Sequence, residues 1–264
     1  MFSKVSIFTV ALLALGGTQL ASAAGSYDEG QWVTTFMAGS SFIQEGSFNP
    51  HVQSGVADLG SIDPALSGIA GVSAIDHLQF KDAFRPGPSF GIETGYMVQS
   101  NIEPFARLSY SQMRGRDQEI GFLSAPTLDT ATPIRGNFDD MTSWALDFGT
   151  RYFLSDTGTM RTYVAGYLGA TRTDALDAHF HVVGLTASPS EEILPQKTQF
   201  DAGVEGGLAW QLSDNAGLSL SVGAQYLDAR SEETDAFAPL GINEVRFTDP
   251  RWSFPVNLGL NFHF

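Results

Sequence analysis

Asp177, His179 and His181 alternate, so in an extended chain they share one face. Two imidazoles and a carboxylate are donors of the kind that bind a transition metal. With Asp139 and Asp140 they also supply groups for acid–base chemistry. Solvated loop histidines are far commoner than ligands, and a motif this short is weak. No metal, cofactor or enzyme is therefore predicted from it. A second set of chemistry-bearing residues is Glu93, Arg107, Asp147, Arg151, Asp201 and Glu205, which interrupt segments rich in Gly and Ser. Charges that leave water must pair or hydrogen-bond, so this set demands an account of where it sits.

The elements that carry both sets are strands. In the last segment Trp252, Phe254, Val256, Leu258, Leu260, Phe262 and Phe264 form one face, and Ser253, Asn257, Gly259, Asn261 and His263 the other. Period-two alternation of this length excludes a helix, whose 3.6-residue period would scatter the apolar positions. The same alternation recurs around 90–99, 103–111, 143–154, 200–212 and 218–226. Segments 31–43 and 161–173 are strand-like too, but apolar residues occupy both faces and leave their facing open. The count is eight. All six charges of the second set fall on the polar faces.

Connections alternate in length. Tight turns at 100–101, 155–158 and 213–216 separate long polar segments at about 44–83, 115–139, 174–196 and 231–250. Strict alternation places every long loop at one end of an eight-stranded antiparallel up-and-down transmembrane β-barrel. In the first loop, Asp63–Leu66 and Ser73–Leu78 are expected to form short helices over the mouth.

Composition narrows the setting. The 264 residues hold 14 Lys and Arg against 29 Asp and Glu, a net charge of −15 with no basic tract, which excludes nucleic acid as a partner. Zero Cys removes disulfides, thiol catalysis and cysteine–zinc sites. Residues 1–23 read as a cleavable signal peptide, with Lys4, an apolar core over 5–15 and small residues at Ala21 and Ala23. The barrel domain is then expected over 24–264.

A soluble lipocalin is also an eight-stranded barrel, with its apolar face inside. Here the polar faces carry Gly, Ser and isolated charges rather than a solvated Lys/Glu surface. Aromatics gather near strand ends, as membrane interfaces favour. The apolar face is thus expected to meet lipid. At the chain end Asn257-Leu258-Gly259-Leu260-Asn261-Phe262-His263-Phe264 resembles the C-terminal assembly signal of bacterial outer-membrane barrels, with Asn257, Gly259, Phe262 and Phe264 at its motif positions. Residues 24–264 resemble the small eight-stranded outer-membrane family of OmpA-like barrels, OmpX and opacity-type surface proteins. The resemblance implies a Gram-negative outer membrane, with its lipid and lipopolysaccharide as surroundings and the barrel-assembly machinery as a folding partner. No periplasmic peptidoglycan-binding domain, and so no cell-wall anchor, is expected.

Eight strands make a barrel just wide enough for its side chains to fill. The six charges are therefore expected to form an interior network that plugs it, with a structural or surface-interaction role carried by the long loops. The alternative is a small cation-preferring, porin-like channel. An omptin-like protease, which the Asp/His and Asp/Asp pairs bring to mind, has ten strands rather than eight. Deleting Phe264 should leave the chain largely unassembled in cells, measured as loss of the heat-modifiable gel form. An undiminished folded fraction would reduce the terminal motif to an ordinary strand.

Overall fold

The computed structural model describes residues 29–49, 51–127, 131–155, 158–184, 190–234, 238, 242 and 245–264. The signal peptide expected at 1–23 lies outside the described residues. Eight long strands run β1 (Trp32–Glu45), β2 (Pro88–Tyr96), β3 (Ile102–Gly115), β4 (Met141–Phe153), β5 (Met160–Thr173), β6 (Lys197–Ser213), β7 (Ala216–Thr234) and β8 (Val245–His263). Each pairs antiparallel with its chain neighbours. β1 then pairs with β8, Val33 opposite His263 and Gly39 opposite Asn257, and the ring closes.

Alternation decides which face goes where. Along β8, Arg251, Ser253, Asn261 and His263 are buried, whereas Trp252, Leu258, Leu260, Phe262 and Phe264 are exposed. Phe36, Ile92, Leu108, Leu146, Phe148, Val164, Leu168, Val204 and Val222 continue the exposed apolar surface around the ring. A water-soluble barrel would bury such side chains; this one offers them to hydrocarbon. Rings edge the band at both ends. Trp32 meets Tyr96 at 5.0 Å near the tight turns, and Tyr110 meets Trp144 at 5.0 Å and Tyr226 meets Trp252 at 5.3 Å near the long loops. The lipocalin alternative is excluded by this arrangement.

The two strands whose facing the sequence leaves open are settled by what the interior can hold. In β5, Arg161, Tyr163, Ala165 and Tyr167 point inward, and Val164 and Leu168 outward. The tyrosines fit because Gly207 lies under the Tyr163 ring and Gly203 under that of Tyr167, where a Cβ would overlap each ring. In β1, Val33 and Thr35 face in, while Trp32 and Phe36 face out.

The long connections are more ordered than a polar-loop reading predicts. Six short strands, at Ser190–Leu194, Leu176–Val182, Thr132–Phe138, Asp117–Ser124, Gly71–Ile75 and Val52–Val56, form a second sheet in that order. Its inner face buries Ile75, Ile120, Leu123, Ile134, Leu176, Phe180 and Ile193. Asp63 caps a 3₁₀ turn at Pro64–Leu66 through its contact with the Ala65 N–H, so the first expected helix is present as one turn. The second is overturned. Gly71–Ile75 is a strand, because its backbone groups pair with both Val52–Val56 and Asp117–Ser124. A four-residue helix at Phe80–Ala83 lies just beyond it. Strands β7 and β8 also extend into the segment expected as a loop at 231–250.

The lipid face makes a direct prediction. Leu258 is 52% exposed in the middle of the band. Leu258→Arg should cost roughly 2–4 kcal/mol in reversible unfolding from lipid vesicles. A change well under 1 kcal/mol at this mid-membrane site would place it outside the hydrocarbon.

Candidate functional site: the charged lumen

Strand register assembles the interior charges in two rows. Glu93, Arg107, Asp147, Gly169 and Asp201 lie directly opposite one another across β2 to β6. Four residues along β3 and β4, Glu103, Arg151, Ala165 and Glu205 form the second row. A period of two keeps both rows on the inward face.

Between the rows the guanidiniums and carboxylates interlock. Arg107 donates to Glu93 Oε2 from Nε at 2.9 Å and from Nη2 at 2.7 Å, and Nη2 also reaches Glu205 Oε1 at 2.9 Å. Arg151 donates from Nη2 to Glu93 Oε1 at 2.6 Å, and from Nη1 to both Glu103 oxygens at 3.0 Å. Rings wall the pair in. The Arg107 guanidinium lies 5.0 Å from the Phe105 centroid and 5.2 Å from that of Tyr167. Arg151 lies 4.6 Å from the Tyr163 centroid. A guanidinium is suited to this place because its planar fork serves several carboxylates while its faces stack on rings.

The six residues singled out in the sequence are all buried, but the structure divides them. Glu93, Arg107, Arg151 and Glu205 join the ion-paired lattice. Asp147 and Asp201 stand apart from it, flanking Gly169, and Thr171 donates to Asp201 Oδ2 at 2.5 Å. Glu103 is the lattice member that sequence reasoning missed. It was visible on the polar face of β3, but its partner Arg151 is set by register. Tyr163 and Tyr167 were missed with the facing of β5.

Both ends of the lumen are stoppered. At the tight-turn end Arg161, 2% exposed, donates to the carbonyls of Ser100 at 2.6 Å and Ser155 at 2.7 Å and lies over the Phe153 ring. At the long-loop end Arg251 donates to Thr173 Oγ1 at 3.2 Å beneath the Phe80 ring. Phe48 gathers Phe80, Phe84 and Phe138 within 5.2 to 5.7 Å above it. Where β5 leaves the barrel, hydrogen bonds from Thr142 and then Gln196 hold the Asp174 carboxyl below its ordinary range.

The histidine set lies elsewhere. Asp177, His179 and His181 do share the outer face of Leu176–Val182. His181 sits opposite Arg135, whose charge is paired with Asp117 at 3.0 Å, and Asp177 opposite Glu192. Among the described residues no three His, Asp or Glu side chains gather closely enough to hold a metal. At the chain end, Asn257 and Gly259 face the lumen while Phe262 and Phe264 face outward. This strand is the one that closes the ring: Phe264 N–H donates to Trp32 O at 2.9 Å.

A closed eight-stranded barrel with an apolar outer band, two aromatic girdles and short turns at one end is built for the bacterial outer membrane, and the chain is an outer-membrane β-barrel protein. No family model matches the chain, and no curated protein sequence matches it. Solved structures similar to it include the outer membrane protein OprG from Pseudomonas aeruginosa, at 12% identity over 92% of this chain and 100% of that one, with a TM-score of 0.48. Neisserial surface protein A matches at 12% identity over 89% and 98%, with a TM-score of 0.40. The outer membrane protease OmpT from Escherichia coli matches at 6% identity over 92% and 99%, with a TM-score of 0.35.

The lattice predicts an asymmetry between single and double replacements. Arg151→Met strands Glu103 in the lumen, leaves Glu93 with Arg107 alone, and should cost about 3–5 kcal/mol in unfolding experiments. Adding Glu103→Gln should recover a large part of that loss. Equal stability of the single and double variants would show that the two side chains are not coupled.

Proposed function

We propose that the protein is a non-conducting outer-membrane barrel that serves as a rigid mount for an extracellular β-sheet, with a structural or surface-interaction role. The observation that carries this reading is the second sheet itself. Its strands come from three long connections, and its own apolar core is continuous with the phenylalanines that close the barrel mouth. Loops that only shield a surface need no shared core; loops that present a surface do, because recognition requires groups held in place. The chemistry of the outer face is mixed, with Asp117, Arg135, Asn137, Asp177 and His179 side by side, so it suits a polar partner.

The barrel-assembly machinery is the folding partner on this reading, with Asn257, Gly259, Phe262 and Phe264 as the signal it reads. Residues 1–23 direct export and are removed, and the outer leaflet, lipopolysaccharide included, surrounds the apolar band. No catalytic role is assigned to the histidines.

The competing reading is a small cation-preferring channel, which the surplus of luminal carboxylates favours. Planar-bilayer recording separates the two. The closed-barrel reading expects no steady conductance from the purified protein, because the Arg107–Arg151 lattice and the stoppers at both ends fill the lumen. A large, steady, cation-selective conductance that weakens in Glu205→Gln would establish the channel instead.

A further inference from the structure

The long-loop rim above β1 to β3 gathers cations in a chain that is otherwise acidic. Lys81, Arg85, Arg114 and Arg116 are four of its 14 Lys and Arg residues, against 29 Asp and Glu. The short strand Phe84–Arg85 pairs antiparallel with the end of β3, which sets Arg85 directly opposite Arg114. Both are exposed, and residues so placed hold their Cβ atoms about 4.5–5.5 Å apart on one face. Like charges in that position repel. The pairing continues from the Arg116 N–H to the Ala83 carbonyl at 3.0 Å, so Arg116 shares the face of Arg114.

Among the described residues no carboxylate forms an ion pair with any of the four. The acids near them in the chain are engaged elsewhere. Asp82 accepts from the Gln79 N–H at 3.3 Å, and Asp140 from Gln112 Nε2 at 2.8 Å and the Gly115 N–H at 3.0 Å. Asp117 is paired with Arg135. Arg116 Nη1 donates to the carbonyls of Lys81 and Asp82 at 3.4 Å, and its Nε is buried without a hydrogen-bond partner. Lys81, Arg85 and Arg116 also line a surface crevice of about 340 Å³, with Phe42, Phe84, Pro86 and Met113 as its apolar walls.

Height decides what such a crevice meets. Tyr110, in the aromatic girdle, lies four residues before Arg114 on the same face of β3. At about 3.3 Å per residue and a tilt near 40°, Arg114 stands about 10 Å further from the membrane centre, at the depth of lipid headgroups. Phe42, on the outer face of β1, is exposed. Apolar walls under a cationic rim fit an amphiphile better than a free ion, and guanidiniums take phosphate through paired N–H donors. We propose that Arg85 and Arg114, with Lys81 and Arg116, bind a phosphate of lipopolysaccharide in the outer leaflet, with acyl chain packed against Phe42. The proposal rests on the reading above that the long connections face outward, where lipopolysaccharide surrounds the apolar band. A phosphate between Arg85 and Arg114 replaces their repulsion with charge-assisted contacts and offers Arg116 Nε an acceptor.

The test uses the refolded full-length barrel in detergent, titrated with diphosphoryl lipid A, the retained lipid being counted by native mass spectrometry. The proposal expects saturable retention of one lipid. Dephosphorylated lipid A should be retained far less, and inorganic phosphate should not displace the bound lipid. The double variant Arg85→Gln with Arg114→Gln should weaken retention at least about tenfold, the scale of lost charge-assisted contacts. Arg172 is also exposed, at the same end of β5, and Arg172→Gln should keep the wild-type retention. Undiminished retention in the double variant, or an equal loss in Arg172→Gln, overturns the site. Equal retention of the dephosphorylated lipid overturns phosphate as the group recognised, and displacement by inorganic phosphate puts a free-anion site in place of a lipid one. If the double variant does not refold, Lys81→Gln serves, with weakened retention expected and unchanged retention contradicting the proposal. Orientation is read separately, by labelling Asp63→Cys in intact cells with a membrane-impermeant thiol reagent. No labelling there fails the reading on which the proposal rests, and the occupant with it; labelling without lipid retention overturns the site alone.

Discussion

Inside a bilayer no water is available to pair with a backbone N–H or C=O, so a chain that crosses as strands must close on itself. The hydrogen bonds between β1 and β8 that join Trp32 to Phe264 follow from that constraint, and much else follows from them. A ring of eight strands has a narrow interior, and its size dictates filling by side chains rather than by solvent. With the outward positions given over to Leu, Val and Phe, the inward ones carry the polar groups. A charge admitted to that interior persists only with partners. The Glu93–Arg107–Arg151–Glu205 lattice, extended by Glu103, meets that requirement.

The lattice is also where the design is most exposed to error. A buried ion pair contributes little net stability, whereas one partner left alone is expensive. Three carboxylates tied together through Arg107 and Arg151 therefore fix the register of β2, β3, β4 and β6 more than they stabilise the barrel. A one-residue slip would turn Arg107 or Arg151 into lipid and leave the carboxylates without a cation. Glycine is part of the same arrangement: Gly203 and Gly207 make room for the tyrosines that wall in the guanidiniums, and Gly169 makes room for Asp147.

How much of this is legible in a sequence depends on the range of the interaction. Strand β8 is legible because its alternation is local, and the outward facing of Leu258 and Leu260 follows from it. The inward facing of β5 is not, since the amphipathic rings of Tyr163 and Tyr167 would suit a membrane interface as well as a lumen; Gly203 and Gly207 on the next strand decide it. Glu103 shows the same limit, because only pairing brings it to Arg151. The outer sheet is harder still. Gly71–Ile75 has strand formers only at Val72 and Ile75, with Gly, Ser and Ala at its other positions, and becomes a strand by pairing with Asp117–Ser124, about fifty residues on. Asp63 capping its 3₁₀ turn, by contrast, is a contact two residues long and could be read directly.

The central claim is that the apolar half of each strand meets lipid and the polar half encloses a filled lumen. Single cysteines placed in turn at residues 256–262 of this cysteine-free chain, spin-labelled in vesicles and exposed to lipid-soluble and water-soluble relaxation agents, address it most directly. Labels at 256, 258, 260 and 262 should be relaxed strongly by the lipid-soluble agent, with 257, 259 and 261 protected from it, giving a profile of period two. The same period with the phases exchanged, or a profile without that period, would contradict the account.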